Sequence, residues 1–232
     1  MLTTSTVLAD LGPVAQLRAG HLPRRLSQLL AGLALYGVSM AMMIRSGLGL
    51  DPWDVFHYGV SGHLPLSFGT VVTLVGAVVL LAWVPLRQAP GLGTIANVLV
   101  IGVTSDVTLS GLPRPSELWL RAVLLVLGIV LNGLASAMYI GAQLGPGPRD
   151  GLMTGISRRS GLSIRLVRTV QEVVVVGVGS ALGGTVGLGT VVYALSIGSL
   201  VQRFLPLLVV RLDPPGRLPD PAGTHQTAPA KA

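Results

Sequence analysis

Apolar stretches of membrane length follow one another from Leu26 onward, separated by short breaks rich in glycine, proline and arginine. Leu26 to Ile44, Leu66 to Leu86 and Ala122 to Leu144 contain no charged residue. A helix needs about 20 such residues to cross roughly 30 Å of hydrocarbon, so these three stretches predict spans. From Val173 to Gln202 the chain is uncharged for 30 residues, which hydropathy alone would read as one long span and five helices in all. Hydrophobic residues make up 50% of the chain and charged residues 11%, and the mean hydropathy is +0.72. This is the composition of an integral membrane protein. The first apolar run is too long for a signal h-region and has no small-residue cleavage site after it, so it is expected to be retained as a helix.

A second pattern changes the span count. The block L-G-L-D-P-W-D-V-F-H-Y-G-V-S from Leu48 to Ser61 returns 96 residues later as L-G-P-G-P-R-D-G-L-M-T-G-I-S from Leu144 to Ser157. The same offset carries Gly37 and Ala41 onto Gly133 and Ala137, Leu66-Ser67 onto Leu162-Ser163, G-L-G-T at Gly91 onto G-L-G-T at Gly187, and Gly102 onto Gly198. One offset across several blocks marks an internal duplication. The first-half counterpart of the long uncharged run is broken by Pro85, Arg87 and Pro90, and Gly183-Gly184 falls near the matching place in the second half. Each repeat then holds three spans, at about 26–46, 66–86 and 91–108, then 118–142, 163–182 and 187–206. The expected organisation is a cytoplasmic N-terminal segment (1–25), repeat 1 (26–110), repeat 2 (111–208) and a proline-rich disordered cytoplasmic tail (209–232).

Three is an odd number, so the second repeat enters the membrane in the opposite sense to the first. Charge tests this independently. With both termini inside, 13 of the 16 basic residues lie on the cytoplasmic side, and only Arg45, Arg114 and Arg121 remain outside, as the positive-inside rule expects. The net charge of +7 is therefore a topology signal and not a nucleic-acid surface. The fold class is all-α: six transmembrane helices as two inverted three-helix repeats, each with an extra short helix.

The extra helix follows the first span of each repeat. Proline suits the first helical position and acidic side chains suit the first turn, so short helices are expected to start at Pro52, with Asp54 two residues on, and at Pro148, with Asp150. Asp51 would cap the first of them and Gly147 would take that place in the second. They would stop at Ser61-Gly62 and Ser160-Gly161, too short to span. Two readings stay open. The helices lie flat on the two surfaces with Trp53, His57 and Tyr58 in the headgroup layer, or they dip inward from opposite sides as half-helices.

Ionisable groups inside spans are costly and default to functional hypotheses. Arg165, Arg168 and Glu172 follow helical spacing and form one stripe. Either Arg168 and Glu172 make an interfacial ion pair, or Glu172 joins Asp150 and Arg149 in a cytoplasm-facing polar cavity for a charged or zwitterionic solute. The repeat also exchanges an aromatic for an amide twice, pairing Tyr36 with Asn132 and Asn97 with Tyr193. These four would give the repeat interface polarity or simply bond between helices. Gly37 and Ala41, with Gly133, Ala137 and Gly141, have the spacing that lets helix backbones approach closely. Candidate substrate-binding residues are thus Asp54, Asp150, Arg149, Glu172, Arg168, Asn97, Asn132, Tyr36 and Tyr193.

Other chemistry is not indicated. The chain has no cysteine, His57 and His63 lack zinc spacing, G-L-G-T lacks the lysine of a phosphate loop, and no nucleophilic triad is evident. No cofactor, metal or enzymatic activity is expected. The elements G-L-G-L-D-P-W-D, G-L-G-T-I-A-N, L-G-P-G-P-R-D-G-L-M and V-R-T-V-Q-E followed by L-G-G-T-V-G-L-G-T resemble the YczE-like bacterial membrane proteins, relatives of the YitT group, over about residues 26–206. The resemblance implies a fold and a cell-membrane location and carries no reaction. The expected partners are the lipid bilayer and an unidentified small solute, with a homodimer through the glycine-bearing faces compatible with so small a chain. The expected function is a small secondary transporter with its site between the repeats. A non-transporting scaffold or accessory factor is the alternative.

Overall fold

The computed structural model describes Leu8 and residues 11–212 of the chain. Among these residues there are nine helices and no strand: α1 (Pro13–Arg18), α2 (Leu22–Ser46), α3 (Pro52–Ser61), α4 (Phe68–Leu86), α5 (Leu92–Gly111), α6 (Leu118–Gly141), α7 (Pro148–Ser160), α8 (Ile164–Ala181) and α9 (Leu188–Leu208). The proline-rich stretch from Asp213, expected to be disordered, lies outside the described residues. From α2 to α5, each helix starts 96 residues before its counterpart in α6 to α9. The duplication in the sequence is thus repeated helix by helix.

Five helices, α2, α4, α5, α6 and α9, are long and apolar enough to cross a membrane. The remaining expected span, α8, is 18 residues long and carries Arg165, Arg168 and Glu172 in its first half. The uncharged run from Val173 to Gln202 is not one helix. It is broken between α8 and α9, where Gly183 takes a left-handed conformation at φ +80°. Exposed apolar side chains recur at helical spacing on the outer faces, as in Leu92, Ile95, Leu99, Val103 and Val107 of α5. A continuous apolar stripe of this kind faces lipid.

The core is the pair α2 and α6. A Cβ on Gly32 would meet Met138 Cβ at 2.8 Å and Tyr139 N at 3.0 Å, and one on Gly128 would meet Met43 Cγ at 2.8 Å and Ser39 O at 3.2 Å. These two glycines occupy equivalent repeat positions and let the helix backbones touch. Gly37 and Gly133 do the same toward α5 and α9, against Ile101 O at 2.7 Å and Leu200 Cβ at 2.7 Å.

The first span starts at Leu22, four residues before the expected start, which brings Arg24 and Arg25 into the helix. Arg25, by its position a cytoplasmic topology charge, is fully buried. Its Nε donates to Ala142 O at 2.8 Å and its Nη2 to Gln143 O at 2.7 Å, carbonyls at the end of α6. The repeat counterpart, Arg121, donates from Nε to Ser46 O at 2.6 Å and from Nη2 to Gly47 O at 3.1 Å, at the end of α2. The last carbonyls of a helix lack partners along the helix and carry the negative end of its dipole, so a forked guanidinium both bonds and neutralises them. Each half caps the other.

Replacing Arg25 by alanine would leave those buried carbonyls without donors, at about 1–3 kcal/mol for each. A thermal melt of detergent-purified protein should show Arg25→Ala more destabilised than Arg121→Ala, whose arginine is only half-buried. Arg25→Lys should not rescue, because a single ammonium cannot reproduce the fork. Equal and negligible shifts for both alanine variants would contradict this role.

Candidate functional site

The loops after α2 and α6 are irregular, and both are clamped by the opposite half. Leu144 O accepts from Gly93 N–H of α5 at 2.7 Å, and Leu48 O accepts from Gly189 N–H of α9 at 2.8 Å. In both G-L-G-T turns the threonine hydroxyl completes the clamp. Thr190 Oγ1 accepts from Leu50 N–H at 3.2 Å, whereas Thr94 Oγ1 donates to Pro146 O at 2.7 Å. Pro146 stands where the first repeat has Leu50, and proline has no N–H to give, so the hydroxyl reverses its role. Gly49 and Gly145, at φ +130° and +121°, carry the chain through these clamps in a conformation open to glycine.

Held this way, α3 and α7 point their first turns at each other and each packs on the other half. Trp83 of α4 donates from Nε1 to Pro148 O at 3.1 Å, and a Cβ on Gly151 of α7 would sit 1.9 Å from its ring. In the symmetric contact the sizes are exchanged: the backbone of α3 at Val55 and Phe56 lies on Gly179 of α8.

Both short helices have the expected start and stop, Pro52 to Ser61 and Pro148 to Ser160. Asp51 is the N-cap of α3, its Oδ1 accepting from Trp53 N–H at 2.8 Å and Asp54 N–H at 3.0 Å. Arg149 of α7 reaches across the gap, with Nη1 3.6 Å from Asp51 Oδ1 and Nη2 3.9 Å from Asp54 Oδ1. Its guanidinium stands 5.3 Å from the ring centroid of Trp53, a cation–π contact. Asp54 stands in the first turn of α3. It is fully buried, and its Oδ1 accepts from His57 Nδ1 at 3.2 Å. His57, which one of the two readings put in the headgroup layer, is buried inside α3 against the rings of Trp53, Phe56 and Phe68. The second carboxyl oxygens of Asp51 and Asp54 are buried and find no hydrogen-bond partner among the described residues.

Beside this pair opens a cavity of about 340 Å³, within the size range of small-molecule sites. Seven of the nine candidate residues line it: Tyr36, Asn97, Arg149, Asp150, Arg168, Glu172 and Tyr193. Asp150 Oδ2 accepts from Tyr139 O–H at 2.9 Å. At the mouth, Arg168 Nε donates to Glu172 Oε1 at 2.8 Å, the ion pair that their spacing allowed. The other two do not line it. Asp54 lies behind Arg149, and Asn132 is locked between helices, its Oδ1 accepting from Tyr193 O–H at 3.0 Å and its Nδ2 donating to Ser39 Oγ at 2.9 Å. One residue from each aromatic-for-amide exchange thus makes a bridge between α6 and α9. Asp51, Trp53, Tyr139 and Gln171 also line the cavity, beyond the candidates that the sequence suggested. A smaller cavity of about 30 Å³ places Trp53, His57 and Arg149 beside Val72, Val75, Gly76 and Val79, the middle of α4.

Around the cavity the two halves differ in one joint. α4 lies along α5, where a Cβ on Gly69 would fall 2.0 Å from Gly102 O. Asp106 fastens that end, its carboxylate accepting from Gly69 N–H at 2.7 Å and from the Ser67 hydroxyl. The equivalent helices α8 and α9 are barely in contact. There the repeat puts Arg165 in place of Gly69 and Gln202 in place of Asp106, and a Cβ on Gly198, the counterpart of Gly102, would meet nothing within 4 Å.

The profile of the family of unknown function DUF6198 matches residues 23–206. An uncharacterised protein of Haemophilus influenzae is 41% identical over 185 residues, 80% of this chain and 85% of that protein. The uncharacterised membrane protein YczE of Bacillus subtilis is 32% identical over 178 residues, 76% of this chain and 83% of its own length, and the uncharacterised protein YyaS of the same organism is 25% identical over 181 residues, 76% and 90%. No solved structure matches the chain. The apolar helices and these matches together establish an integral membrane protein, and the chain belongs to the YczE-like family of unknown function DUF6198.

Proposed function

We propose that this protein is a small secondary transporter of the bacterial cell membrane, with both termini cytoplasmic and its solute site in the cavity between two inverted repeats. In this reading α8 is the sixth span, its charged first half at the cytoplasmic side. α3 and α7 are half-helices that dip from opposite surfaces, since their facing first turns stand beside the middle of α4. Irregular backbone survives at such depth only when it is buried in protein or lines a cavity, and the clamps on Leu48 and Leu144 meet that condition.

The observation that carries the reading is the unequal joint. Two helix pairs related by the duplication adopt two arrangements, one closed on Gly69 and Gly102 and one parted at Arg165 and Gly198. Alternating access asks for such a difference, and a movement of α8 toward α9 with α4 parting from α5 would exchange a cavity open at α8 and α9 for one open at α4 and α5, with Arg165 holding the second joint wider than the Gly69–Gly102 contact. A scaffold has no use for the exchange.

The test requires no knowledge of the solute. Asn97 lines both cavities, so Asn97→Cys in the cysteine-free chain should react with a membrane-impermeant methanethiosulfonate from both sides, faster from the cytoplasm. Reaction from one side alone would support the scaffold. Gly198→Ala should not lower thermal stability, because its methyl enters open space and alanine favours the helix interior. It should suppress labelling of Asn97→Cys from outside, because the methyl occupies space that α8 has to enter as it closes on α9. Undiminished outside labelling in the double variant would contradict the exchange.

A further inference from the structure

The charges around the cavity do not balance. Among the described residues that line the cavity, Asp51, Asp150 and Glu172, with Asp54 behind them, are answered by Arg149 and Arg168 as full cations. The first turns of α3 and α7 contribute about half a positive charge each. Roughly one negative charge therefore remains, and at the buried floor of the site an uncompensated charge is strongly disfavoured. The excess sits at the floor, because Glu172 is answered by Arg168 at 2.8 Å. On the floor Asp51 and Asp54 share one guanidinium at 3.6 and 3.9 Å, and each keeps a buried oxygen without a hydrogen bond. Asp51, 1% exposed, lines the cavity itself. The phenols of Tyr36, Tyr139 and Tyr193 complete the wall beside Trp53, whose ring already meets the Arg149 guanidinium, and aromatic faces suit an organic cation and not an anion.

Resting on the transporter reading and extending it, we propose that the cavity takes a small organic monocation, and that a proton shared by the Asp51 and Asp54 carboxyls competes with it. With the site empty of solute, a proton on the pair leaves it one negative charge, which Arg149 balances. When the cation enters, the proton leaves, so charge is exchanged one for one. The groups facing the pair are His57 on the same helix, Arg149 and Asp150 from α7, Tyr36 from α2, Tyr139 from α6 and Tyr193 from α9, with Arg168 and Glu172 of α8 at the mouth.

The probe is tetraethylammonium, whose fixed charge leaves any pH dependence to the protein. Calorimetric titration of the full-length protein in detergent, repeated in buffers of different ionisation enthalpy, should show binding that tightens by roughly tenfold or more from acid to alkaline pH, with close to one proton released per cation at the acid end. Benzenesulfonate should not bind. Asp51→Asn keeps the N-cap, because asparagine caps as well as aspartate, and should weaken binding at least roughly tenfold and abolish proton release. Binding that is independent of pH, absence of tetraethylammonium binding, or preferred binding of benzenesulfonate would overturn the proposal. If the variant fails to fold, the pH dependence and proton count of the unaltered protein decide alone. Binding is read without a membrane, so proton-coupled binding with no flux in proteoliposomes would uphold this inference and sink the transporter reading. Flux of other solutes without cation binding would do the reverse.

Discussion

Backbone polar groups that leave helical structure inside an apolar environment must find partners, and everything else in this molecule depends on how that requirement is met. The chain leaves α2 and α6 through loops whose carbonyls have no local donors. Each loop is completed from the other half: by Arg121 and the start of α9 in one case, by Arg25 and the start of α5 in the other. An unsatisfied group of this kind costs several kcal/mol in hydrocarbon, more than any single packing contact here returns. Neither repeat is therefore a complete structure by itself.

Because the clamps fix the loops, they also fix the short helices beyond them. Pro52 and Pro148 begin helices directly after the clamped segments, and these helices come to rest on α8 and α4 of the opposite half. The symmetric frame then carries asymmetric contents. Where repeat 1 has Asp51 and Trp53, repeat 2 has Gly147 and Arg149, so the two first turns are complementary in charge. Where repeat 1 has Gly69 and Asp106, repeat 2 has Arg165 and Gln202, so one joint is fastened by a carboxylate and the other is not. Duplication supplies the scaffold, and divergence at a few positions supplies the polarity.

Much of this is legible in the chain. The offset of 96 residues foretells the helix starts, and proline and glycine mark the ends of the short helices, because both signals are local. On the sequence alone an ion pair on α8 and a polar cavity behind it are alternatives, yet both occur: Arg168 and Glu172 are paired and also line the mouth. The features hidden from the sequence depend on distant contacts. Arg25 resembles any cytoplasmic arginine until the chain folds back on it, although its recurrence as Arg121 at the same offset is a usable sign. Asp51 has the local signature of a cap and nothing more, whereas in the fold the same carboxylate also faces Arg149 from the other half of the molecule. His57 looks like a surface residue because nothing in its neighbourhood in the sequence reveals the aromatic ring of Phe68 that covers it.

The central claim is that the two halves are the same unit inserted in opposite senses, so that α3 and α7 approach from opposite faces of the membrane. The absence of native cysteine makes this directly measurable. Single variants Ser61→Cys and Ser157→Cys, at equivalent positions in α3 and α7, can be treated in intact cells with a membrane-impermeant thiol reagent and again after permeabilisation, with the unaltered chain as blank. Opposite insertion predicts that Ser61→Cys labels from outside and Ser157→Cys only after permeabilisation. Labelling of both from the same side would mean parallel halves and would contradict it.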